Sequence, residues 1–85
     1  MDKELKLYGT DWCTKSIYLR NYLQSVWVEF KDFNVETNKE AEETIKSLYG
    51  GELKFPTVIY RDTYLKNPSI SELNAFLNKN GLLDV

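Results

Sequence analysis

Cys13 is the single cysteine of the chain, and it stands in Tyr8-Gly9-Thr10-Asp11-Trp12-Cys13-Thr14-Lys15-Ser16, a run that reads as a strand-to-helix junction. A helix start leaves amide donors unpaired, and a thiol placed there loses its proton early, at pKa values of ~3.5–7.5. A thiolate near neutral pH is both nucleophile and leaving group, so the chemistry on offer is thiol–disulfide exchange. A two-cysteine redox motif would carry its second thiol three residues on, where this chain has Ser16. A hydroxyl cannot close a disulfide, so any exchange runs on one sulfur.

The neighbours of Cys13 each have a functional and a plain reading. Trp12 is a hydrophobic plug beside the sulfur or a piece of core. Ser16 donates to the sulfur across one helical turn or satisfies a helix surface, and the surface reading is the simpler. Lys15 brings a positive charge that salt would screen. Tyr18, close behind the motif, is the tyrosine placed to border a groove; Tyr8 and Tyr22 read as core or boundary residues.

Composition removes several other chemistries. The chain has 85 residues, 11 Lys and Arg against 13 Asp and Glu, and no histidine. Imidazole base catalysis, histidine metal ligation and the usual serine or cysteine hydrolase arrangements are thereby excluded. No basic cluster stands out, so nucleic acid is not expected as a partner. One free cysteine fits a reducing compartment better than a disulfide-stapled secreted module, and a cytoplasmic location is expected. Met1-Asp2-Lys3-Glu4 has no apolar run of the signal-peptide kind, and no stretch reaches the ~20 apolar residues of a membrane span. One domain over residues 1–85 is expected.

The elements that must position Cys13 follow from periodicity. Leu5, Leu7 and Tyr8 make a first strand that ends at Gly9. Leu19, Tyr22, Leu23 and Val26 recur at helical spacing from Thr14 onward, which puts Cys13 at that helix's first turn. Val26, Val28, Phe30, Phe33 and Val35 read as a second strand, with alternation clearest from Val26 to Phe30, and Asn34 to Asn38 lead out of it. Ala41, Thr44, Ile45 and Leu48 mark a second helix, preceded by Glu40, Glu42 and Glu43 and stopped by Gly50-Gly51. Glu36 to Glu43 are read as a solvated flank with no site. Phe55-Pro56-Thr57-Val58-Ile59-Tyr60 is a strand opened by a proline, and a turn at Arg61-Asp62-Thr63 pairs it with a short strand around Tyr64 to Lys66. Ser69-Ile70-Ser71-Glu72 is a capping box that starts a last helix through Leu73, Phe76 and Leu77, ended by Gly81. Asn67 orients the preceding loop or only makes the turn before Pro68. The order is βαβ-α-ββ-α, a four-stranded mixed sheet with helices on both faces.

Taken together, Tyr8-Gly9-Thr10, Trp12-Cys13-Thr14-Lys15-Ser16, Gly50-Gly51, Phe55-Pro56-Thr57-Val58 and Leu65-Lys66-Asn67-Pro68-Ser69 resemble the glutaredoxin family. The Asn-Pro-Ser ending is similar to the mycoredoxin and bacterial glutaredoxin-like branch. The resemblance implies an α/β thioredoxin-like fold with three helices, a nucleophile at Cys13 inside an active-site motif of Trp12, Thr14, Lys15 and Ser16, and a cis peptide before Pro56. It also implies a groove that holds glutathione or another low-molecular-weight thiol, built from Phe55, Pro56, Asn67, Ser69 and Ile70. In that groove the Phe55 backbone pairs with the cysteinyl part of the small thiol, and the amides of Ser69 and Ile70 meet its carboxylate.

The implied function is reduction of mixed disulfides by a monothiol route, with the small thiol as co-substrate and S-thiolated proteins as partners. No metal, membrane or nucleic acid is expected, and the default oligomeric state is monomer. Two other readings stand beside it. One is an iron–sulfur carrier in which two protomers each supply Cys13 and two glutathiones complete the ligands. The Cys-Gly-Phe-Ser and Trp-Pro motifs usual in that branch are absent. The other is a non-enzymatic binding module on the same scaffold. Ser16 departs from the dithiol members, Asp11 stands where many glutathione users carry Lys or Thr, and Lys54-Phe55 replaces the common Thr-Val and makes the groove wall bulkier and more basic.

Overall fold

The computed structural model describes residues 5–82; the leader reading made on residues 1–4 lies outside the described residues. Alternation along β1 (Leu5–Gly9) sends Leu5 and Leu7 into one apolar cluster and Tyr8 into another, because successive side chains of a pleated strand leave opposite faces. β1 pairs in parallel with β2 (Phe30–Asn34), from Leu5 opposite Phe30 to Gly9 opposite Asn34. On its other side it pairs antiparallel with β3 (Thr57–Tyr60), which forms a hairpin with β4 (Thr63–Lys66). The sheet order is β2-β1-β3-β4, so β1 is a central strand.

Three helices, α1 (Thr14–Ser25), α2 (Lys39–Leu48) and α3 (Ile70–Lys79), complete the expected order. Leu19 and Leu23 of α1 and Leu73, Phe76 and Leu77 of α3 join Leu5, Leu7, Val58 and Tyr60 in one cluster. Ala41 and Ile45 of α2 pack with Tyr8 and Val35 in the other. The sheet is thus covered by α1 and α3 on one face and by α2 on the other. Among the described residues the first cluster has ten buried residues and the second four. At ~1.5–3 kcal/mol for each fully buried large side chain, the α1–α3 face contributes more to stability. The helix that starts at Cys13 is therefore anchored by the larger core.

Each helix finishes with a residue at positive φ. In α3 this is Gly81, and the amides of Leu82 and Gly81 close on the Leu77 and Asn78 carbonyls at 2.9 and 3.2 Å. In α1 it is Trp27, at φ 59, with the Val28 and Trp27 amides reaching back to the Leu23 and Gln24 carbonyls at 3.1 and 3.2 Å. Both are the same terminating motif, which normally uses glycine because any Cβ is strained there. The second strand consequently begins at Phe30, later than the apolar alternation predicts. Val26 caps α1, and Val28 is buried in the connection without being in a strand.

Candidate active site

β1 ends at Gly9, and a short loop carries the chain to Cys13, the N-cap of α1, at the carboxyl end of a central strand. The loop is held from inside. Thr10 is fully buried, its Oγ1 accepts the Cys13 amide at 3.1 Å, and its own amide donates to Ser16 Oγ at 3.4 Å. Arg20 reaches the Thr10 carbonyl at 3.4 Å while its guanidinium pairs with Asp32 at 2.6 Å, tying the loop to the sheet. Sequence reasoning gave Thr10 no part beyond the motif; its place three residues before the cysteine was the available signal.

Ser16 does not satisfy a helix surface, the simpler of its two readings. It is fully buried, and a Cβ on Gly9 would lie 2.5 Å from its Oγ. Only glycine at position 9 lets the serine pack so closely on the strand end. With a lone pair of Ser16 Oγ engaged by the Thr10 amide, the single hydroxyl proton is left for the sulfur. Burial is the largest influence on Cys13 and pushes its pKa up. The amide and hydroxyl of Ser16, the Lys15 amide and the Lys15 charge outweigh it, and the thiol sits below its ordinary value of 9.0. Cys13 is half-buried and free.

Lys15 does more than add charge. Its Nζ donates to the Asn67 carbonyl at 3.2 Å, and the Asn67 amide donates to the Pro56 carbonyl at 2.9 Å. Asn67, at φ 49, therefore has both backbone groups engaged and fixes the loop between β4 and α3. The Phe55–Pro56 peptide is cis and Pro56 is buried. Beside them Leu53, Lys54, Phe55, Lys66 and Asn67 line an open cleft of about 330 Å³. Thr14 is exposed in the first turn of α1; Tyr18 is exposed too and is not among the cleft's lining residues.

Trp12 is not part of the core. It is 64% exposed, packs edge-on against Phe55 at 5.9 Å between ring centroids, and donates its indole Nε1–H to Glu36 at 2.8 Å. Glu36 belongs to the acidic stretch read as a solvated flank; it is exposed as expected, and its bond to Trp12 is an addition to that reading. Ser69 is the expected cap, and the capping box takes the amide that was to meet a carboxylate. Its amide is taken by Glu72 Oε1 at 2.8 Å, while its Oγ accepts the Glu72 amide at 3.1 Å. Of the two amides expected to meet a carboxylate, only that of Ile70 has no such bond in the capping box.

Among the described residues, a four-stranded mixed sheet covered by three helices, with a single thiol at the helix start after a central strand, has the architecture of the thioredoxin-like class. The glutaredoxin family model matches residues 5–65. A Mycobacterium tuberculosis protein with a provisional glutaredoxin name is 34% identical over 76 residues, spanning 88% of this chain and 90% of that one. Mycoredoxin 1 of Corynebacterium glutamicum is 37% identical over 71 residues, spanning 81% and 86%. Among solved structures, the thioredoxin-like protein BC3987 superimposes with a TM-score of 0.77 at 19% identity, covering 87% of this chain and all of that one. The chain belongs to the glutaredoxin family. Membership supports a thiol-based redox function. No helix among the described residues is long and apolar enough to cross a membrane.

Proposed function

We propose that the protein is a thiol–disulfide oxidoreductase that reduces mixed disulfides through Cys13 alone, with glutathione or a related low-molecular-weight thiol as co-substrate. The observation that carries this reading is the surroundings of the sulfur: half-exposed, faced by the Ser16 amide and hydroxyl and the Lys15 amide, and held below the ordinary thiol range. The mycoredoxin and glutaredoxin relatives support a small-thiol co-substrate.

In the first step the Cys13 thiolate attacks the small-thiol sulfur of a mixed disulfide. A new disulfide forms between Cys13 and the small thiol, and the protein thiolate leaves and takes a proton from solvent. In the second step the thiolate of another small-thiol molecule attacks the small-thiol sulfur of that adduct. Oxidised small thiol is released and Cys13 departs as thiolate. The donors around Cys13 serve both steps, because a thiol whose pKa is lowered is more ionised as nucleophile at a given pH and leaves more readily. Ser16 cannot resolve the adduct, so the second thiol must come from solution.

The small thiol lies in the cleft, with its cysteinyl part against the Phe55 backbone beside Pro56 and Asn67. Lys54 and Lys66 in the cleft wall meet its carboxylates, and the Ile70 amide at the start of α3 adds a further donor. Ser69 acts there as the cap that shapes the helix end, because its amide is occupied. S-thiolated proteins are the partners, and the cytoplasm is the setting in which such a free thiol stays reduced.

The test is turnover of a glutathionylated peptide by reduced protein with excess glutathione, following peptide release and the mass of the protein together. Many turnovers through a transient adduct on Cys13 are expected. No adduct and no release would remove the oxidoreductase reading.

A further inference from the structure

Trp12, next to Cys13 in the chain, meets the ring of Phe55 and is held in an unusual way. Trp12 precedes the cysteine directly and exposes most of its ring, yet its orientation is fixed at two points: the edge-on contact with Phe55 and the indole donation to Glu36. Surface tryptophans without a partner for the indole N–H sample several rotamers. A charge-assisted donation at 2.8 Å favours one of them.

The acceptor is itself fixed by its loop. Directly after β2, the Val35 amide bonds to the Gly9 carbonyl at 2.9 Å, anchoring this loop to the end of β1. The Glu36 amide then donates to Asn34 Oδ1 at 2.8 Å, an Asx turn that directs residue 36. The Asn38 amide closes on the Asn34 carbonyl at 2.9 Å. The β2–α2 loop thus presents one carboxylate oxygen to one indole N–H, and the result is a solvent-exposed aromatic ring on the residue that precedes Cys13.

We propose that Glu36 is a specificity-determining positioning residue: by locking Trp12 against Phe55 it keeps an aromatic platform beside Cys13 that selects protein disulfides with an apolar or aromatic residue next to the modified cysteine. The cleft lined by Lys54 and Lys66 is basic and suits the small thiol; the platform is apolar and suits the polypeptide that carries it. The proposal rests on Cys13 being the exchanging thiol, and its test needs only one exchange step, not catalytic turnover.

Two peptides of equal length are prepared as mixed disulfides with thionitrobenzoate, one with Phe beside its cysteine and one with Ser. Cys13 attacks the peptide sulfur, a Cys13–peptide disulfide forms, and the aryl thiolate leaves with its electron pair and is read by its colour. The unmodified protein is expected to react faster with the Phe peptide. Glu36→Ala should lower that rate by about three- to tenfold, the worth of one aligned aromatic contact, and leave the Ser peptide unchanged. Glu36→Gln keeps an acceptor oxygen and should restore the preference.

In parallel, the indole N–H signals of Trp12 and of 91% exposed Trp27 are compared by NMR. In the unmodified protein the Trp12 proton should exchange with solvent more slowly, and in Glu36→Ala the two should exchange alike. Equal rates for the two peptides, an unchanged preference in Glu36→Ala, or a Glu36→Gln that behaves as Glu36→Ala would each overturn the proposal. Absence of glutathione turnover would sink the oxidoreductase reading and leave this result standing.

Discussion

α1 and α3 begin alike and come to opposite ends. Cys13 and Ser69 are both extended N-cap residues, with φ near −75° and −77°, and each precedes a helix packed on the same face of the sheet. At α3 the chain satisfies itself: the Ser69 hydroxyl takes the Glu72 amide and the Glu72 carboxylate takes the Ser69 amide. At α1 the cap side chain makes no such bond. The amides of Lys15 and Ser16 and the Ser16 hydroxyl are left around a sulfur whose negative charge they favour. A good cap is worth about 0.5–2 kcal/mol, so α1 forgoes stability that α3 takes. One helix start is closed for folding, and the other is kept open for an anion that the protein carries itself. The Lys15 bond to the Asn67 carbonyl ties the first turn of α1 to the loop that leads into α3.

Exchanging the caps breaks the comparison most sharply. Cys13→Ser places at α1 the residue that closes α3, and all thiol exchange should disappear while stability to denaturant rises by about 0.5–1 kcal/mol. Residual turnover would mean that Cys13 is not the nucleophile, and a fall in stability would mean that the α1 start cannot use a hydroxyl cap.

The two helix starts were not equally legible. The α3 cap could be read outright, because Ser and Glu three residues apart satisfy each other within one turn and depend on nothing distant. The α1 start was legible as to Cys13, since a lone cysteine between a strand and a helix has few roles. Its supports were not, because they arrive from elsewhere in the chain. Glu36 reaches Trp12 across 24 positions and Lys15 reaches Asn67 across 52. The burial of Ser16 depends on the absence of a side chain at Gly9, a steric fact that appears only when strand and helix are brought together. The sheet and helix order followed from alternation and turn residues. The end of α1 did not, because Trp27 takes the left-handed position where glycine announces a helix stop, and the apolar run around it then resembles a strand. The long-range side-chain contacts were missed, and so was one local feature, the non-glycine stop at Trp27.

Within the open helix start, Ser16→Ala measures how much the hydroxyl contributes. The variant removes one donor to the sulfur and leaves the buried Thr10 amide without its acceptor, a loss of about 1–3 kcal/mol in stability. The pH at which Cys13 becomes reactive toward iodoacetamide should move up, and exchange at neutral pH should slow. The linkage has a definite sign: the folded thiol lies below its ordinary 9.0, so its contribution to stability is complete above that value. It is lost as pH falls through the folded pKa. In Ser16→Ala this window narrows. An unchanged reactivity profile would show that the Lys15 and Ser16 amides suffice.

The smallest effect is expected from opening the closed helix start. Glu72→Ala releases the Ser69 amide, and the first turn of α3 then offers two adjacent amides to a carboxylate, as a helix start does when nothing in the chain occupies it. The Glu72 carboxyl lies below its ordinary 4.5, chiefly through the Ser69 amide, then the Ser69 hydroxyl, with Lys15 adding attraction. Its contribution to stability is therefore complete above 4.5 and lost as pH falls through the folded value. The variant should melt slightly below the unmodified protein at neutral pH, and the difference should vanish in acid. Its KM for glutathione should fall, because a carboxylate of the small thiol gains a donor that Glu72 had occupied. A KM that stays constant while the melting point drops would separate the cap from the cleft, and the carboxylate would then be met by Lys54 and Lys66 without help from the end of α3.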